Sequence, residues 1–387
     1  SGFETCVEQL GQRLAARGHD VTVYCRTHHV RYPHPTYKGM RLVRLPTIVN
    51  KYTDTMVHTL LSLLHGLTQR YDAVLVFIVG NSPLTWIPRM GGQIVVLNVD
   101  GLDWRRKKWP AWAKRYLRWS ERMATRLPHA FVTDSLEVQR YYREQYGADS
   151  TYIAYGADVQ RRPAGEWLER FGLEARRYVL FVGRLVPENC AHHLVEAFRG
   201  LDTDLRCVIV GDAPYAEDYI QQLKTTDDPR VIFTGYVFGE GYEELCSNAY
   251  VFVETSEVGG THPALLEAMA LGNCVVVNGT PENRETIGDS GLAYDGREGS
   301  SALREVLKEL LAAPALVQEY RERALARVEQ HYSWDTVADA YEQIIRAIID
   351  ERRLKRSQKA SRTRGQQQDQ ASDPSAATRI RNDQRGR

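Results

Sequence analysis

Short apolar runs and amphipathic stretches alternate along this chain, and they do so twice. The first series of runs lies at 20–25 (DVTVYC), 41–46 (RLVRLP), 72–78 (DAVLVFI), 93–98 (QIVVLN), 130–133 (AFVT) and 151–154 (TYIA). The second lies at 178–182 (YVLFV), 206–210 (RCVIV), 231–234 (VIFT), 250–254 (YVFVE) and 274–278 (CVVVN). Most are short, rich in β-branched residues and continuously apolar, the pattern of a strand buried on both faces. Helical periods stand between them. Phe3, Val7, Leu10 and Leu14 recur at four, three and four before Gly18 stops the pattern. Segments 54–69 and 135–146 read the same way, and HYSWDTVADAYEQIIRAIIDERR closes the second series as a long helix. Strand–helix alternation implies parallel sheets covered on both faces. The fold class is therefore α/β, with two doubly wound, Rossmann-like domains facing across a cleft. The expected divisions are 1–155, a linker at 156–176 marked by Gly156, Pro163 and Gly165, a second domain at 177–351, and a tail at 352–387. A doubly wound domain normally opens with a strand, whereas this chain opens at Ser1-Gly2, inside the following turn. The first strand is read as missing.

The stretch SEVGGTHPALLEAMALGNCVVVNGTP (256–281) is a glycine loop, a helix and a strand. Pro263 suits a first helical turn and Gly272 a helix stop. In open parallel sheets ligands bind at such loops, outside the carboxyl ends of the strands. The Gly259 and Gly260 amides can approach an anion there. Glu267, one turn into the helix, either faces that crevice or packs against the sheet.

The segments SGFETCVEQLGQRLAARGHDVTVYCR, FVGRLVPEN, VIFTGYV and GGTHPALLEAMALGNCVVV resemble, in this order, motifs of the family-four glycosyltransferases of the GT-B fold. The resemblance covers about 1–350 and is closest to the branch with bacterial rhamnosyltransferases. It implies a nucleotide-sugar held by the C-terminal domain, an acceptor on the N-terminal domain, a last helix crossing back, and no metal. The reaction is expected to be retaining, and no cofactor is expected, since the nucleotide-sugar is a substrate. Arg184 is the residue that forks onto the diphosphate; such a fixed cation stabilises charge on the leaving group. The family's lysine five residues later is Asn189 here. Glu267 matches the second Glu of the Glu-x7-Glu motif, which takes the ribose hydroxyls. The first Glu falls on Gly259, with Glu257 and His262 as neighbours able to substitute and Gly260 and Thr261 completing the loop. Ser1, Gly2 and Glu4 match the first loop of the family, Gly235-Tyr236-Val237 the loop that reads the base, and Gly211 closes another strand on the same rim.

Residues 97–126 carry four of the seven tryptophans, and from Leu102 to Arg126 there are nine Lys/Arg against two acids. Asp100 and Asp103 follow a strand at its carboxyl end and are candidates for handling the acceptor hydroxyl proton, ahead of His58 and His65. Trp104, Arg105, Arg106, Lys107, Lys108 and Trp109 are expected to be exposed toward a lipid-linked or glycan acceptor. Trp112, Tyr116, Trp119 and Met123 form a stripe that reads either as core or as an interfacial surface. From Arg352 to Arg387 there are eleven Lys/Arg and three Asp; the net charge of +1 leaves residues 1–351 at −7. The tail is too polar to bury a core and is expected to be disordered. It either solubilises or is drawn to an anionic surface. No apolar run reaches the ~18 residues of a membrane span. A cytoplasmic protein, peripheral on an anionic membrane, fits these features. Nucleic acid is not an expected partner, because residues 1–351 are acidic.

Other patterns carry less. The six cysteines show no paired spacing. Asp202 and Asp204 imitate a metal motif on an expected αβ turn, and His192-His193 lacks a third ligand at useful spacing. Asn189 and Gly259 keep two alternatives open: a nucleotide-sugar epimerase of the same fold, and a non-catalytic nucleotide-sugar or polyanion binder.

Overall fold

The structure, a computed structural model, describes residues 2–30, 32–50, 53–106, 109–214 and 216–371. Residues 1–341 form one compact unit and 342–387 a second. The first unit holds β1 (Thr22–Arg26), β2 (Thr36–Tyr37), β3 (Met40–Leu45), β4 (Ala73–Phe77), β5 (Ile94–Asn98), β6 (Ala130–Thr133) and β7 (Thr151–Tyr152). It continues with β8 (Tyr178–Val182), β9 (Arg206–Val210), β10 (Val231–Gly235), β11 (Val251–Glu254), β12 (Cys274–Asn278) and β13 (Leu292–Tyr294). Eleven of these coincide with the runs read from sequence. β2 and β13 escaped because two or three residues give no period to read.

The second lobe is one six-stranded parallel sheet in the order β10-β9-β8-β11-β12-β13. Its central strands are buried on both faces, as their unbroken apolar runs require: Val251 to Val253 and Cys274 to Val277 are almost wholly inaccessible. The first lobe contains two sheets, β1-β3-β2 and the parallel β4-β5-β6-β7. The helix Gly2–Ala16 lays Phe3 edge-on against Phe77, ring centroids 5.9 Å apart, at the end of β4.

The segment expected as a linker is tied down. Ala157 N donates to Tyr332 O (2.8 Å), Glu166–Arg170 is helical, and Gly156 packs under Trp334. The helix from Trp334 returns to the first lobe. Arg13 pairs with Asp335 (3.0 Å), Arg17 with Asp339 (2.7 Å), and Asn98 Nδ2 donates to the Tyr341 hydroxyl (2.7 Å).

In the second unit that helix runs on to Ala371, where the sequence led us to expect disorder from 352. The reason is local. Residues 342–371 are mostly good helix formers, and Glu342–Arg346 and Glu351–Lys355 pair one turn apart. Residues 372–387 lie outside the described residues.

Candidate active site

In the second lobe β8 has β9 and β10 on one side and β11 to β13 on the other. All the strands run parallel, so the loops leaving their carboxyl ends gather at one edge. The reversal between β8 and β11 is the switch point where such sheets bind ligands. Arg184 follows β8, Gly211 follows β9, Gly235 to Val237 end β10, and Glu257 to His262 follow β11. Main-chain bonds knit these loops: Gly183 N to Val210 O (3.0 Å), Gly211 N to Gly235 O (2.9 Å) and Glu257 N to Glu188 O (3.0 Å). Gly211 has φ 143°, and a Cβ there would stand 1.8 Å from Gly183 O. Its role is this backbone-on-backbone contact.

Arg184 reaches solvent from a crowded setting. Desolvation by its surroundings, then the Arg106 guanidinium, push its pKa down, and Glu188, Asp103 and Tyr236 oppose the shift. Arg184 thus shares one electrostatic neighbourhood with Asp103 and Arg106 of the first lobe. Glu267 is half-buried and accepts a 2.6 Å hydrogen bond from the Tyr242 hydroxyl. Burial pushes its carboxyl up, against that hydrogen bond. Tyr236 and Phe238 stack at 5.5 Å and are exposed, whereas the Val237 side chain is buried and leaves only its backbone to a ligand.

Across from this rim stands a pair of carboxyl groups. Asp100 follows β5 with φ 58°, a left-handed conformation uncommon for a residue with a side chain, and Asn98 Oδ1 accepts from its N–H (3.0 Å). Asp134 follows β6 and is fully buried. The two side chains face each other closely enough to interact. Burial raises both pKa values; the next contribution is the Asp103 charge for Asp100 and the Asp100 charge for Asp134, which lies well above the usual range. Asp134 also grips the second lobe. Thr261 N donates to its Oδ2 (3.3 Å) and the Thr261 hydroxyl to its main-chain O (2.7 Å). Glycines permit the approach. A Cβ on Gly101 would lie 2.8 Å from Gly260 N, and one on Gly260 would lie 2.4 Å from the Asp134 carboxylate.

Several residues singled out from sequence sit differently from expectation. Asn189 donates its Nδ2 to Arg184 O (2.9 Å) and closes the loop on itself. The Thr261 amide and hydroxyl are both directed to Asp134. The His262 ring covers Gly259, where a Cβ would come within 2.5 Å of it, and its carbonyl accepts from Leu265 and Leu266 at the helix start. Glu257 is exposed. Gly2 opens the first helix and Glu4 is exposed in its first turn. One turn on, Cys6 is pushed up to about 12 by burial, then by the charges of Asp100 and Asp134, which puts this helix start beside the carboxyl pair. Ser1, Lys107 and Lys108 lie outside the described residues.

The basic-aromatic segment needs correction, because most of it turns inward. Trp104 and Trp109 pack on the first lobe's core, Arg118 lies over the Trp104 ring (4.3 Å), and Arg106 Nε pairs with Asp103 Oδ1 (2.7 Å) while largely buried. Indole surface is more stable against Leu102 and its neighbours than in water. Arg105 stays exposed. So do Trp112 and Trp119, on a helix whose buried face is Ala113, Leu117 and Ser120.

His65 meets the Tyr24 hydroxyl (2.9 Å), and buried His58 has its pKa lowered by desolvation. Asp204 pairs with Arg177 ahead of β9, at the edge opposite the loops above. His192 and His193 do have a third group beside them, Cys190. Sequence reasoning missed Asp134 and Tyr242. Asp134 stands directly after the run at 130–133, as Asp100 stands just after 93–98, and that parallel was the available signal.

Residues 176–313 match the family Glycosyl transferases group 1, and residues 1–158 match a domain of unknown function (DUF1972). An O-antigen chain mannosyltransferase B of Escherichia coli is 27% identical over 206 residues, 49% of this chain and 52% of that protein. The chain thus spans about half the length of that relative. Sucrose-phosphate synthase of Thermosynechococcus elongatus superposes with TM-score 0.76 at 20% identity, covering 91% of this chain and 94% of the other. Anabaena HepE in complex with UDP superposes with TM-score 0.72 at 15% identity, covering 90% and 96%. The chain therefore has the GT-B fold, and the match to the glycosyl transferases group 1 model falls on its second lobe.

Proposed function

We propose that this protein is a glycosyltransferase that moves a sugar from a nucleotide-diphosphate donor to a lipid-linked or glycan acceptor in surface polysaccharide synthesis. The observation that carries the reading is the convergence at the β8–β11 switch point. Arg184, the glycine loop and the Glu267 helix open from one edge, and Arg184 shares its surroundings with Asp103 and Arg106 of the other lobe. In this reading Arg184 holds the diphosphate, Glu267 the ribose hydroxyls, and the backbone around Tyr236 and Val237 the base, with the exposed Tyr236 ring beside it. The leaving diphosphate is stabilised by the guanidinium and main-chain amides. Asp100 and Asp134, side by side near the donor loop, are the pair to which we assign taking and returning a proton at the acceptor oxygen. Rhamnose from a dTDP donor, with retention, is the specific reaction we favour, and the likeness to a UDP-bound structure makes UDP-sugars the first competitors to test. Exposed Trp112 and Trp119 among Arg115, Arg118 and Arg122 form the face we assign to an anionic membrane.

The test is a thermal-shift panel of nucleotide-sugars followed by transfer to a lipid-diphosphate acceptor. A donor should stabilise the wild type and fail to stabilise Arg184→Ala. Stabilisation by none of the panel would refute the donor site. The engaged Asn189 and the bare Gly259 favour one second reading, a non-catalytic nucleotide-sugar binder. Binding without transfer or hydrolysis would decide for it.

A further inference from the structure

A cluster of soft and borderline metal ligands stands beside the Arg184 loop, outside the site described above. Pro187–Asn189 form a single 3-10 turn, and Cys190 follows with φ 50° before the helix Ala191–Arg199 begins. The Cys190 Sγ lies 3.4 Å from Pro187 O in that turn. This Sγ and a ring nitrogen each of His192 and His193 come within 4.8 Å of one another. We propose that Cys190, His192 and His193 form a binding site for one thiophilic divalent cation such as Zn2+.

The surroundings suit such an ion. Cys190 is 3% exposed and the two rings are half-buried, so the ligands sit at a wall rather than on open surface. Each imidazole is oriented from outside the cluster. His192 Nδ1 meets the Tyr219 hydroxyl at 2.9 Å and His193 Nδ1 meets the Tyr294 hydroxyl at 3.0 Å. Metal-bound imidazoles are commonly fixed by such partners. Gly299, at φ 60°, keeps the Nε2 side of His193 clear: a Cβ there would stand 3.1 Å from that nitrogen. Glu196 and Glu257 give the pocket a negative field. When the sulfur–metal bond forms, the thiol proton leaves to solvent. One thiolate and two neutral imidazoles then neutralise part of the ion's charge, with the remaining position open to water. The ion would clip the turn that carries Arg184 to the strand that carries Tyr294.

The experiment uses the full chain without an affinity tag, stripped with chelator, desalted and titrated with Zn2+ alone. Bound metal is counted by mass spectrometry, and Co2+ is used to detect a thiolate charge-transfer band. The proposal expects one ion per chain, a Co2+ thiolate band lost in Cys190→Ser, and Zn2+ binding lost in His193→Ala. Tyr294→Phe, which keeps all three ligands, should weaken binding by about 10–100-fold. Circular dichroism in chelator establishes that each variant is folded. His28, His29 and Asp54 are the competing cluster. Binding that disappears in His28→Ala/His29→Ala and persists in His193→Ala overturns the proposal, as does a wild type that retains no Zn2+ or a Co2+ complex with no thiolate band.

Discussion

Asp134→Asn removes the titration of the buried carboxyl that meets Thr261 of the other lobe. An acid whose folded pKa lies above its unfolded value binds a proton on folding in the pH window between the two. In that window stability falls as pH rises, at up to ~1.4 kcal/mol per pH unit for one proton. For Asp134 the window opens near the ordinary aspartate range and extends upward, since burial and the Asp100 charge both raise it. Above the ordinary aspartate range the wild type should therefore lose stability through this group as pH rises, by no more than that slope. The asparagine removes the titration and keeps the geometry. Its Nδ2 can donate toward Asp100, and its Oδ1 still accepts from Thr261 N. The variant should match or exceed the wild type at pH 7 and show a flatter pH dependence. The assay is urea denaturation of both proteins at pH 5, 6 and 7, comparing midpoints at equal m. Thr261→Val is the control: it removes the hydroxyl bond to Asp134 O, costs about 1 kcal/mol, and leaves the pH slope alone. Parallel stability–pH curves for Asp134→Asn and wild type would refute the raised Asp134 pKa.

Arg184→Ala should weaken nucleoside diphosphate binding by about 1.5–3 kcal/mol and leave nucleoside binding near its wild-type value, measured by calorimetry. Equal losses for both ligands would remove the arginine from the diphosphate. Glu267→Ala should weaken both ligands, because the ribose is common to them; unchanged nucleoside affinity would reduce Glu267 to a partner of Tyr242. Asp202→Asn and Asp204→Asn should leave transfer within about two-fold, since Asp204 holds an exposed pair worth ~0–1 kcal/mol; a large loss would return these residues to a metal role. The chain should co-sediment with anionic vesicles at low salt and release at high salt. Replacing Trp112 and Trp119 should weaken that binding, and equal binding to zwitterionic vesicles would refute the electrostatic part.

The second lobe was readable because its strands are buried on both faces and its loops turn on glycine and proline. Periodicity, propensity and burial agree there, so each run from 178 to 278 became a strand. The tail was misread because composition forbids a core but not a helix, and one-turn ion pairs between 342 and 355 support one. The tryptophans at 104 and 109 were misread for a related reason. Neighbouring arginines and lysines suggest a surface, yet an indole follows the nearest apolar core and a guanidinium follows the nearest carboxylate or ring. Asp134 could be seen only as another aspartate after a strand. Its importance comes from Asp100 and Thr261, which lie 34 and 127 residues away in sequence and meet it only through the fold.

Gly101, Gly259 and Gly260 belong to one contact. The family that this chain resembles carries a glutamate at the place of Gly259. Here a side chain at 259 would enter the His262 ring, while Gly101 already approaches Gly259 C to 2.9 Å from the position a Cβ would take. A larger residue at Gly101 or Gly260 would separate the loops and draw Thr261 away from Asp134. The buried carboxyl that meets this glycine loop consequently comes from the opposite lobe: Asp134, with Asp100 beside it. Exposed Glu257 is the loop's own acid, so the buried acidity there depends on the contact that Gly101 and Gly260 permit.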